Sequence, residues 1–257
     1  MYFCKMKYTF SEAYKSKKKQ VVNCIDNFQT EGQILGNANR NVIKLFDIEG
    51  VTLNIKSFKI PNLINQFVYK YFRKSKAQRS FEYAEKLQEL GFGTPDPIAF
   101  FEFPSSALFK KSFYVSKHLH TDYTYRDLTH NFDIPNHEEI LRAFTRFTFQ
   151  LHEKEVLFLD HSPGNTLIEI TGNNYQFYLV DLNRMEFKPL SFEERIKNFK
   201  RLTVHRSMVE IMSDEYAKCI GGDYQKIVDL MWSETQKFQE KFHNKRKFKK
   251  KIKFWKK

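Results

Sequence analysis

The sequence has few cysteines, no internal repeat and no long apolar run. Its three cysteines, Cys4, Cys24 and Cys219, are far apart and form no C-x-x-C pair, so neither a disulfide framework nor a cysteine-bound metal cluster is expected. No apolar segment reaches the roughly 18 residues that span a bilayer, and the N-terminus has no signal-peptide core. These absences predict a soluble protein of the reducing cytosol.

Aromatic residues and positive charge are plentiful instead. Aromatics make up 16% of the 257 residues, with 27 Phe, so a packed core is expected and general disorder is excluded. The length fits one large domain or two lobes. The formal net charge is +13, and residues 244–257 contain nine Lys or Arg and no acid. The body of the chain is therefore only mildly basic.

Short β-rich segments dominate the first half of the chain. Residues 1–50 are interpreted as strands around the polar turn EGQILGNANRN, and residues 42–48 and 51–58 are predicted to form a hairpin. A helix is predicted from about Asn62 to Leu90, ended by a glycine. Two further strands are predicted within TPDPIAFFEF and KKSFYVSKHL.

From about Tyr125 the pattern becomes helical. The segment HEEILRAFTRFTFQLHEKEV has an apolar stripe at helical spacing, TLIEI and YQFYLVDL predict a second hairpin, and residues 190–243 predict helices broken at IGGD. The predicted fold is α+β and two-lobed: an antiparallel β-rich N-lobe with one main helix, a link, a mostly helical C-lobe and a basic aromatic tail. The predicted boundaries are 1–116, 117–124, 125–243 and 244–257.

Three oxygen-bearing side chains are the candidates for chemistry. Asp160 and Asn165 share the polar loop of FLDHSPGNTLI, and Asp181 ends the second strand of the hairpin that follows. Because a hairpin returns the chain to its starting edge, these side chains are expected to converge. Carboxylate and amide oxygens suit Mg²⁺, a remaining carboxylate can accept a proton, and Lys56 could bind phosphate, which together is what phosphoryl transfer requires.

The same residues resemble a known family. Asp160-x4-Asn165 is similar to the catalytic loop of protein-kinase-like enzymes, LVDLN to their metal-binding segment, and NIKSF to their phosphate-binding lysine strand. More narrowly, FRKSKAQRSFEYAEKLQELGFGTPDPIAFFE and SPGNTLI resemble the lipopolysaccharide kinase group, the Kdo/WaaP-type sugar kinases of Gram-negative bacteria. The resemblance covers about residues 30–190 and implies a two-lobed kinase-like fold.

The resemblance also implies a role for each candidate residue. Asp160 would be the catalytic base, with Asn165 beside it in the catalytic loop, and Asn165 and Asp181 would hold the metal. Lys56 would contact the phosphates of ATP. The remaining nucleotide contacts would come from the covering loop 36–41, with its single glycine Gly36, and from the backbone near Ser116 and His118.

Three departures from the family pattern leave questions open. Phe158 replaces the histidine that precedes the catalytic aspartate, and Asp181 is followed by Leu-Asn. The helix glutamate expected to pair with Lys56 falls on Ser80. Glu82 and Glu85 are near in the sequence but would point away from Ser80 on a regular helix, so the partner of Lys56 stays open. Lys59 is an alternative to Lys56 for the phosphate contact.

Two histidines near the loop need separate interpretations. His152 is predicted to be structural, at the end of its helix, whereas His161 lies within the loop and could touch substrate. Turn chemistry alone is the alternative interpretation of the loop.

The predicted function is that of an ATP- and Mg²⁺-dependent kinase acting on a lipopolysaccharide core sugar, Kdo on a lipid A precursor. The basic tail would bind the anionic inner face of the inner membrane, which makes the protein cytoplasmic and peripheral; nucleic-acid binding by the tail is the less favoured interpretation. The alternatives are a protein Ser/Thr/Tyr kinase and a catalytically inactive kinase-like module that binds nucleotide or lipid.

Overall fold

The strands predicted in the first half of the chain pair into one antiparallel sheet. A computed structural model of the protein describes residues 6–36, 41–59, 74–104, 109–172 and 174–254. The sheet has the order β1-β5-β6-β4-β3-β2. Its strands are β1 (Lys7–Phe10), β2 (Gln33–Ile34), β3 (Val42–Ile48), β4 (Val51–Phe58), β5 (Pro97–Pro104) and β6 (Phe109–Lys117).

The predicted hairpin of β3 and β4 is confirmed. Glu49 and Gly50 have φ angles of 47° and 78°, and Ile48 pairs with Val51, as in a two-residue turn whose central residues both have positive φ. The Glu49 carboxylate accepts hydrogen bonds from two side chains outside the hairpin, Lys17 and Gln20. On β4, Leu53 and Ile55 are fully buried, so the alternation of the strand turns Lys56 to the opposite face.

The main helix of this region is α2 (Lys76–Glu89). Its N-cap is Ser75, whose Oγ accepts a hydrogen bond from Gln78 N at 3.0 Å, and Gly91 ends it with φ at 84°. The apolar positions that predicted the helix are all buried: Ala77, Phe81, Ala84 and Leu87. The part of the predicted helix in residues 62–73 lies outside the described residues.

A second helix in this region, α1 (Lys18–Asp26), was not predicted, since residues 1–50 were interpreted as strands and turns. Its buried residues Val21, Cys24 and Ile25 follow the i, i+3, i+4 spacing of a helix face and pack into the core of the sheet. The adjacent valines at positions 21 and 22 favour a strand locally. Tertiary burial of the helical stripe outweighs that preference.

The elements of the second half are mostly helical, as predicted. A three-stranded sheet has the order β10-β9-β7, and a two-stranded ladder joins β11 to β8. The strands are β7 (Tyr123–Thr124), β8 (Val156–Phe158), β9 (Thr166–Thr171), β10 (Asn174–Leu179) and β11 (Met185–Phe187), and the helices are α3 (Tyr125–His130), α4 (His137–Glu153), α5 (Phe192–Lys197), α6 (Arg206–Ile220) and α7 (Tyr224–Phe254).

The chain divides into two compact units. Unit 1 consists of residues 1–120 together with Asp181–Asn183, and unit 2 consists of residues 121–180 and 184–257. The helices α4, α6 and α7 contribute Phe144, Met212 and Met231 to the core of unit 2, and all three side chains are fully buried. Within the described part of the chain, none of the helices has the length and apolarity needed to cross a membrane.

Candidate active site

Lys56 and Asp181 form an ion pair in unit 1 although they are 125 residues apart in the sequence. Lys56 Nζ donates a 2.6 Å hydrogen bond to Asp181 Oδ1, and the two side chains are 14% and 33% exposed. Asp181 has a φ of 59°, a left-handed conformation that an aspartate adopts more readily than most residues. The predicted phosphate-binding lysine and one predicted metal ligand are thus in direct contact.

Asn183 supplies a second donor to the same carboxylate oxygen. Its Nδ2 lies 2.6 Å from Asp181 Oδ1, and its side chain is buried. Both hydrogen bonds are accepted by Oδ1, so Oδ2 is left available to a cation. Within the Asp-Leu-Asn sequence, Asn183 therefore holds the side chain of Asp181 in place.

Among the described residues, no carboxylate of helix α2 forms an ion pair with Lys56. Ser80, at the position where a glutamate was expected, is buried. Glu82 accepts hydrogen bonds from Lys74 and Gln78 instead. Burial, followed by the charges of Glu89 and Glu82, raises the pKa of Glu85. Asp181 is accordingly the partner of Lys56 that the sequence could not identify.

The alternative lysine, Lys59, lies just beyond β4. Its side chain is exposed, and its backbone N–H donates to Asn41 Oδ1 at 3.3 Å. Lys56 is therefore the better candidate for a phosphate contact, because its amine is already beside a candidate metal ligand.

The candidate nucleotide-covering loop begins at Gly36. This glycine has a φ of 73°, and the chain before it is paired by the hydrogen bond from Leu35 N to Ile43 O. An added Cβ at Gly36 would meet no atom within 4 Å, so the conformation rather than crowding calls for glycine. Residues 37–40 of the loop lie outside the described residues.

The predicted adenine-contacting segment belongs to the end of β6. Ser116 is buried and pairs with Asn54, while the N–H groups of Lys117 and His118 donate to Asp96 and Thr52. A base at this edge would therefore use carbonyl oxygens or other N–H groups. Burial and the neighbouring charge of His120 lower the pKa of His118.

A cavity of about 450 Å³ lies beside this segment within unit 1. That volume is in the range of small-molecule sites. Its lining mixes apolar, carboxylate and imidazole groups: Glu31, Gly32, Gln33, Leu45, Phe46, Asp47, Thr52, His118 and His120.

Asp160 and Asn165 are brought together in unit 2 at the two ends of one tight loop. Asn165 Nδ2 donates to the backbone oxygen of Asp160 at 2.8 Å, and its N–H donates to Ser162 O at 2.9 Å. Since the amide nitrogen is engaged, the amide oxygen of Asn165 is the end left for a cation. The loop connects β8 to β9, and Val180 N donates to Asn165 O at 3.0 Å.

Two arginines flank the Asp160 carboxylate. Arg201 Nη1 lies 2.5 Å from Oδ1 and also donates to Leu159 O at 3.2 Å. Arg184 Nη1 lies 3.6 Å from Oδ2 and has a side chain that is 60% exposed. Sequence reasoning missed both. Arg184 is three residues after Asp181 and could have been noticed, whereas Arg201 is 41 residues from its partner and has no local signal.

Two buried histidines lie behind the loop. His152 contacts the hydroxyl of Tyr216 at 2.9 Å and Asn198 Oδ1 at 3.2 Å, and Asn198 Nδ2 donates to Phe158 O at 2.8 Å. His152 is thus structural, as predicted. The sequence left open whether His161 touches substrate; it is 1% exposed and packs among aromatic rings, which is the environment of a core residue.

The two candidate metal ligands, Asp181 of unit 1 and Asn165 of unit 2, each carry an oxygen donor of the kind that magnesium prefers. Among the described residues no group of three or more His, Cys, Asp or Glu is placed to hold a metal ion. Mg²⁺ does not need such a group, because it is commonly held by one or two protein oxygens together with substrate phosphates. Asp181 Oδ2 and the amide oxygen of Asn165 are oxygens of that kind.

Comparison with known proteins adds a family match. The profile of the lipopolysaccharide kinase (Kdo/WaaP) family matches residues 28–229. That range contains Lys56, the Asp160–Asn165 loop and Asp181, and it excludes the basic tail. A search of curated protein sequences returned no match.

The solved structures add a similar fold. The chain is similar to a structure described as WaaP in complex with acyl carrier protein, with a TM-score of 0.63 and 14% sequence identity over 91% of this chain and 98% of that one. Similarity at this identity concerns the fold. It confirms the predicted α+β kinase-like architecture.

Proposed function

Because this chain belongs to the lipopolysaccharide kinase (Kdo/WaaP) family and is therefore a kinase, we propose that it transfers the γ-phosphoryl group of ATP to a hydroxyl of Kdo on a lipid A precursor. The observation that carries the proposal is the ion pair between Lys56 and Asp181. A nucleotide site needs a cation that binds the phosphates close to a carboxylate that binds the metal.

Asp160 is the proposed base that accepts the proton of the attacking hydroxyl. Arg201 fixes one of its oxygens, and the Asn165 amide fixes the backbone of the same residue. Such orientation matters because a base is effective only within hydrogen-bond reach of the proton it removes. Lys56 binds the phosphates of ATP. A variant without the Lys56 amine would also leave Asp181 without a cationic partner.

Asn165 and Asp181 are the proposed holders of Mg²⁺. The ion would neutralise charge that develops on the phosphate oxygens during transfer. The two side chains contribute one available oxygen each, Oδ1 of Asn165 and Oδ2 of Asp181, while their other polar atoms are held by hydrogen bonds.

The acceptor is proposed to be a lipid-linked sugar rather than a protein. After Asp181–Asn183 the chain enters β11 and then α5 by residue 192, so little chain is available for a regulated segment of the kind that protein kinases use. The basic tail supports the same acceptor class, since an anionic membrane surface is where a lipid-linked sugar would be met.

The test is mass spectrometry of lipid A–core from cells that lack the gene, complemented with wild type or with Asp160→Asn. Wild type should add the mass of one phosphate, and the variant should not. With the purified proteins, transfer should fall by about 10²- to 10⁴-fold in Asp160→Asn while heat denaturation stays close to wild type. Phosphorylation of protein rather than lipid would favour the protein kinase, and ATP binding without any transfer would favour the inactive module.

A further inference from the structure

Three arginines surround the loop that carries Asp160. Arg201 and Arg184 approach its two carboxylate oxygens, at 2.5 Å and 3.6 Å. Arg126, from the first turn of α3, lies against Gly164 of the loop: a methyl group at Gly164 would come within 2.5 Å of its Nη2. Two guanidinium groups therefore approach the Asp160 carboxylate, and a third lies beside Gly164 of the same loop.

The charge of these three arginines is only partly balanced, because Asp160 is the one carboxylate that the described residues place within 4.0 Å of any of them. Four other arginines of unit 2 each have a carboxylate within 4.0 Å: Arg142, Arg146, Arg195 and Arg206. Arg126 has no such ion pair among the described residues, and its sequence neighbour Asp127 is committed to the backbone N–H and hydroxyl of Thr124. Arg184 has only the 3.6 Å contact with Asp160, which it shares with Arg201. Guanidinium groups with donors to spare suit carboxylate or phosphate ligands.

Arg201 and Arg184 differ in exposure and in number of contacts, and we assign them different roles on that basis. Arg201 is held by Asp160, by Leu159 O and by the ring of Phe238, whose centroid is 5.6 Å from its Cζ. Arg184 is anchored through its backbone oxygen, which accepts from Leu159 N, while its side chain is 60% exposed. Arg201 positions the base, and Arg184 keeps donors for an incoming group.

We propose that Arg184 and Arg126, each beside the loop that carries Asp160, recognise the anionic groups of the acceptor, a carboxylate or phosphate carried near the attacking hydroxyl. The inference rests on the proposed function to the extent that Asp160 is the base. It assigns the recognition of the acceptor's negative charge to two side chains outside the catalytic set.

The competing role for these arginines is a contact to the γ-phosphate of ATP. The two roles differ in which Michaelis constant changes. Loss of an acceptor contact raises KM for the acceptor and leaves KM for ATP unchanged, whereas loss of a γ-phosphate contact raises KM for ATP or lowers kcat.

The experiment compares Arg184→Gln, Arg126→Gln and the double variant with wild type. Each single variant should raise KM for a Kdo-terminated acceptor about tenfold, the value of one charge-assisted hydrogen bond, and KM for ATP should stay within about twofold. With an acceptor whose Kdo carboxylate is converted to the amide, wild type and variants should be equal. Arg206→Gln is the matched control, because it removes the same charge from an arginine paired with Glu210.

A direct binding measurement separates this inference from the proposed function. Free Kdo and glucosamine 6-phosphate are titrated into each full-length protein and followed by NMR, which tests the carboxylate and phosphate sources separately. Weaker binding of either probe in Arg184→Gln and Arg126→Gln, but not in Arg206→Gln, supports the site even if no acceptor is phosphorylated. Equal binding to all variants, or a rise in KM for ATP alone, overturns it.

Discussion

His161 is buried among aromatic side chains. Neither ring nitrogen has a partner among the described residues, and the ring packs against Phe144 and Phe158. Burial lowers the pKa of His161 to about 3, and burial likewise lowers the pKa of His152 to about 4. Both side chains are therefore neutral in the folded protein at any pH near neutrality.

This neutrality predicts a loss of stability in mild acid. In the unfolded chain a histidine has a pKa near 6.5, so between pH 6.5 and the lowered folded values the unfolded state binds protons that the folded state does not. The free energy of unfolding then falls as the pH falls, by up to about 1.4 kcal/mol per pH unit for each histidine. Replacing His161 with Leu should remove the part of this loss that His161 causes, which is about 2 kcal/mol of unfolding free energy between pH 7 and pH 5.

Urea denaturation of wild type and His161→Leu at pH 7 and pH 5 measures this difference. His243→Gln, which removes an exposed histidine from the last helix, serves as the control. Equal losses of stability in wild type and His161→Leu between the two pH values would show that the buried ring is not the cause.

Single residues also mark the limit of what the sequence could predict about the site. Lys56, Asp160, Asn165 and Asp181 were identified from short motifs and a family resemblance. The partner of Lys56 was not, because the pairing joins residues 125 apart and replaces a helix glutamate by an aspartate of another segment. Arg201 was missed for the same reason: local spacing carries no information about such contacts.

At the scale of elements, the short helix α5 positions the residues after it that contact the catalytic loop. Ser191 and Glu194 form a capping box at its start: Ser191 Oγ accepts from Glu194 N at 3.2 Å, and Glu194 Oε2 accepts from Ser191 N at 3.0 Å. Ile196 of this helix is fully buried. The residues that follow include Asn198 and Arg201, which contact Phe158 O and Asp160.

Removing the cap should lower stability more than activity. Ser191→Ala loses the hydroxyl acceptor and should cost about 1 kcal/mol, while Ser191→Asp retains an acceptor and should stay within a few tenths of wild type. The midpoint of heat denaturation, measured by calorimetry, reports the cost. If Ser191→Ala and Ser191→Asp lose the same amount, the hydrogen bond seen at the cap contributes nothing to stability.

The elements differ in how clearly the sequence specified them. The β3–β4 hairpin was predictable because alternation and a Glu-Gly turn agree. The helix α1 was not, because its valines favour a strand and only the spacing of Val21, Cys24 and Ile25 marks it as a helix. Its conformation is decided by burial against the sheet, which a nine-residue segment cannot reveal by itself.

For the whole molecule, the strongest asymmetry is that of charge. Nine of the 43 Lys and Arg residues lie in the last fourteen positions, where no acid balances them. The part of α7 from Lys241 to Phe248 is exposed, and the rings of Phe242 and Phe248 are 48% and 64% exposed. Basic and aromatic side chains on one exposed segment are the composition that anionic membrane surfaces attract.

The tail should therefore bind anionic vesicles through its charge. Each Lys or Arg near such a surface contributes roughly 1 kcal/mol, so replacing Lys245, Arg246 and Lys247 with Gln should weaken binding by about 3 kcal/mol, roughly a hundredfold. Sedimentation with vesicles that contain phosphatidylglycerol measures the partition coefficient, which should also fall as salt is added.

A control with Lys19, Lys154 and Lys218 changed to Gln removes three scattered exposed charges and should bind nearly as wild type does. Equal weakening in both triple variants would mean that net charge, and not the tail, attracts the membrane, and salt-sensitive binding to RNA without binding to vesicles would assign the tail to nucleic acid.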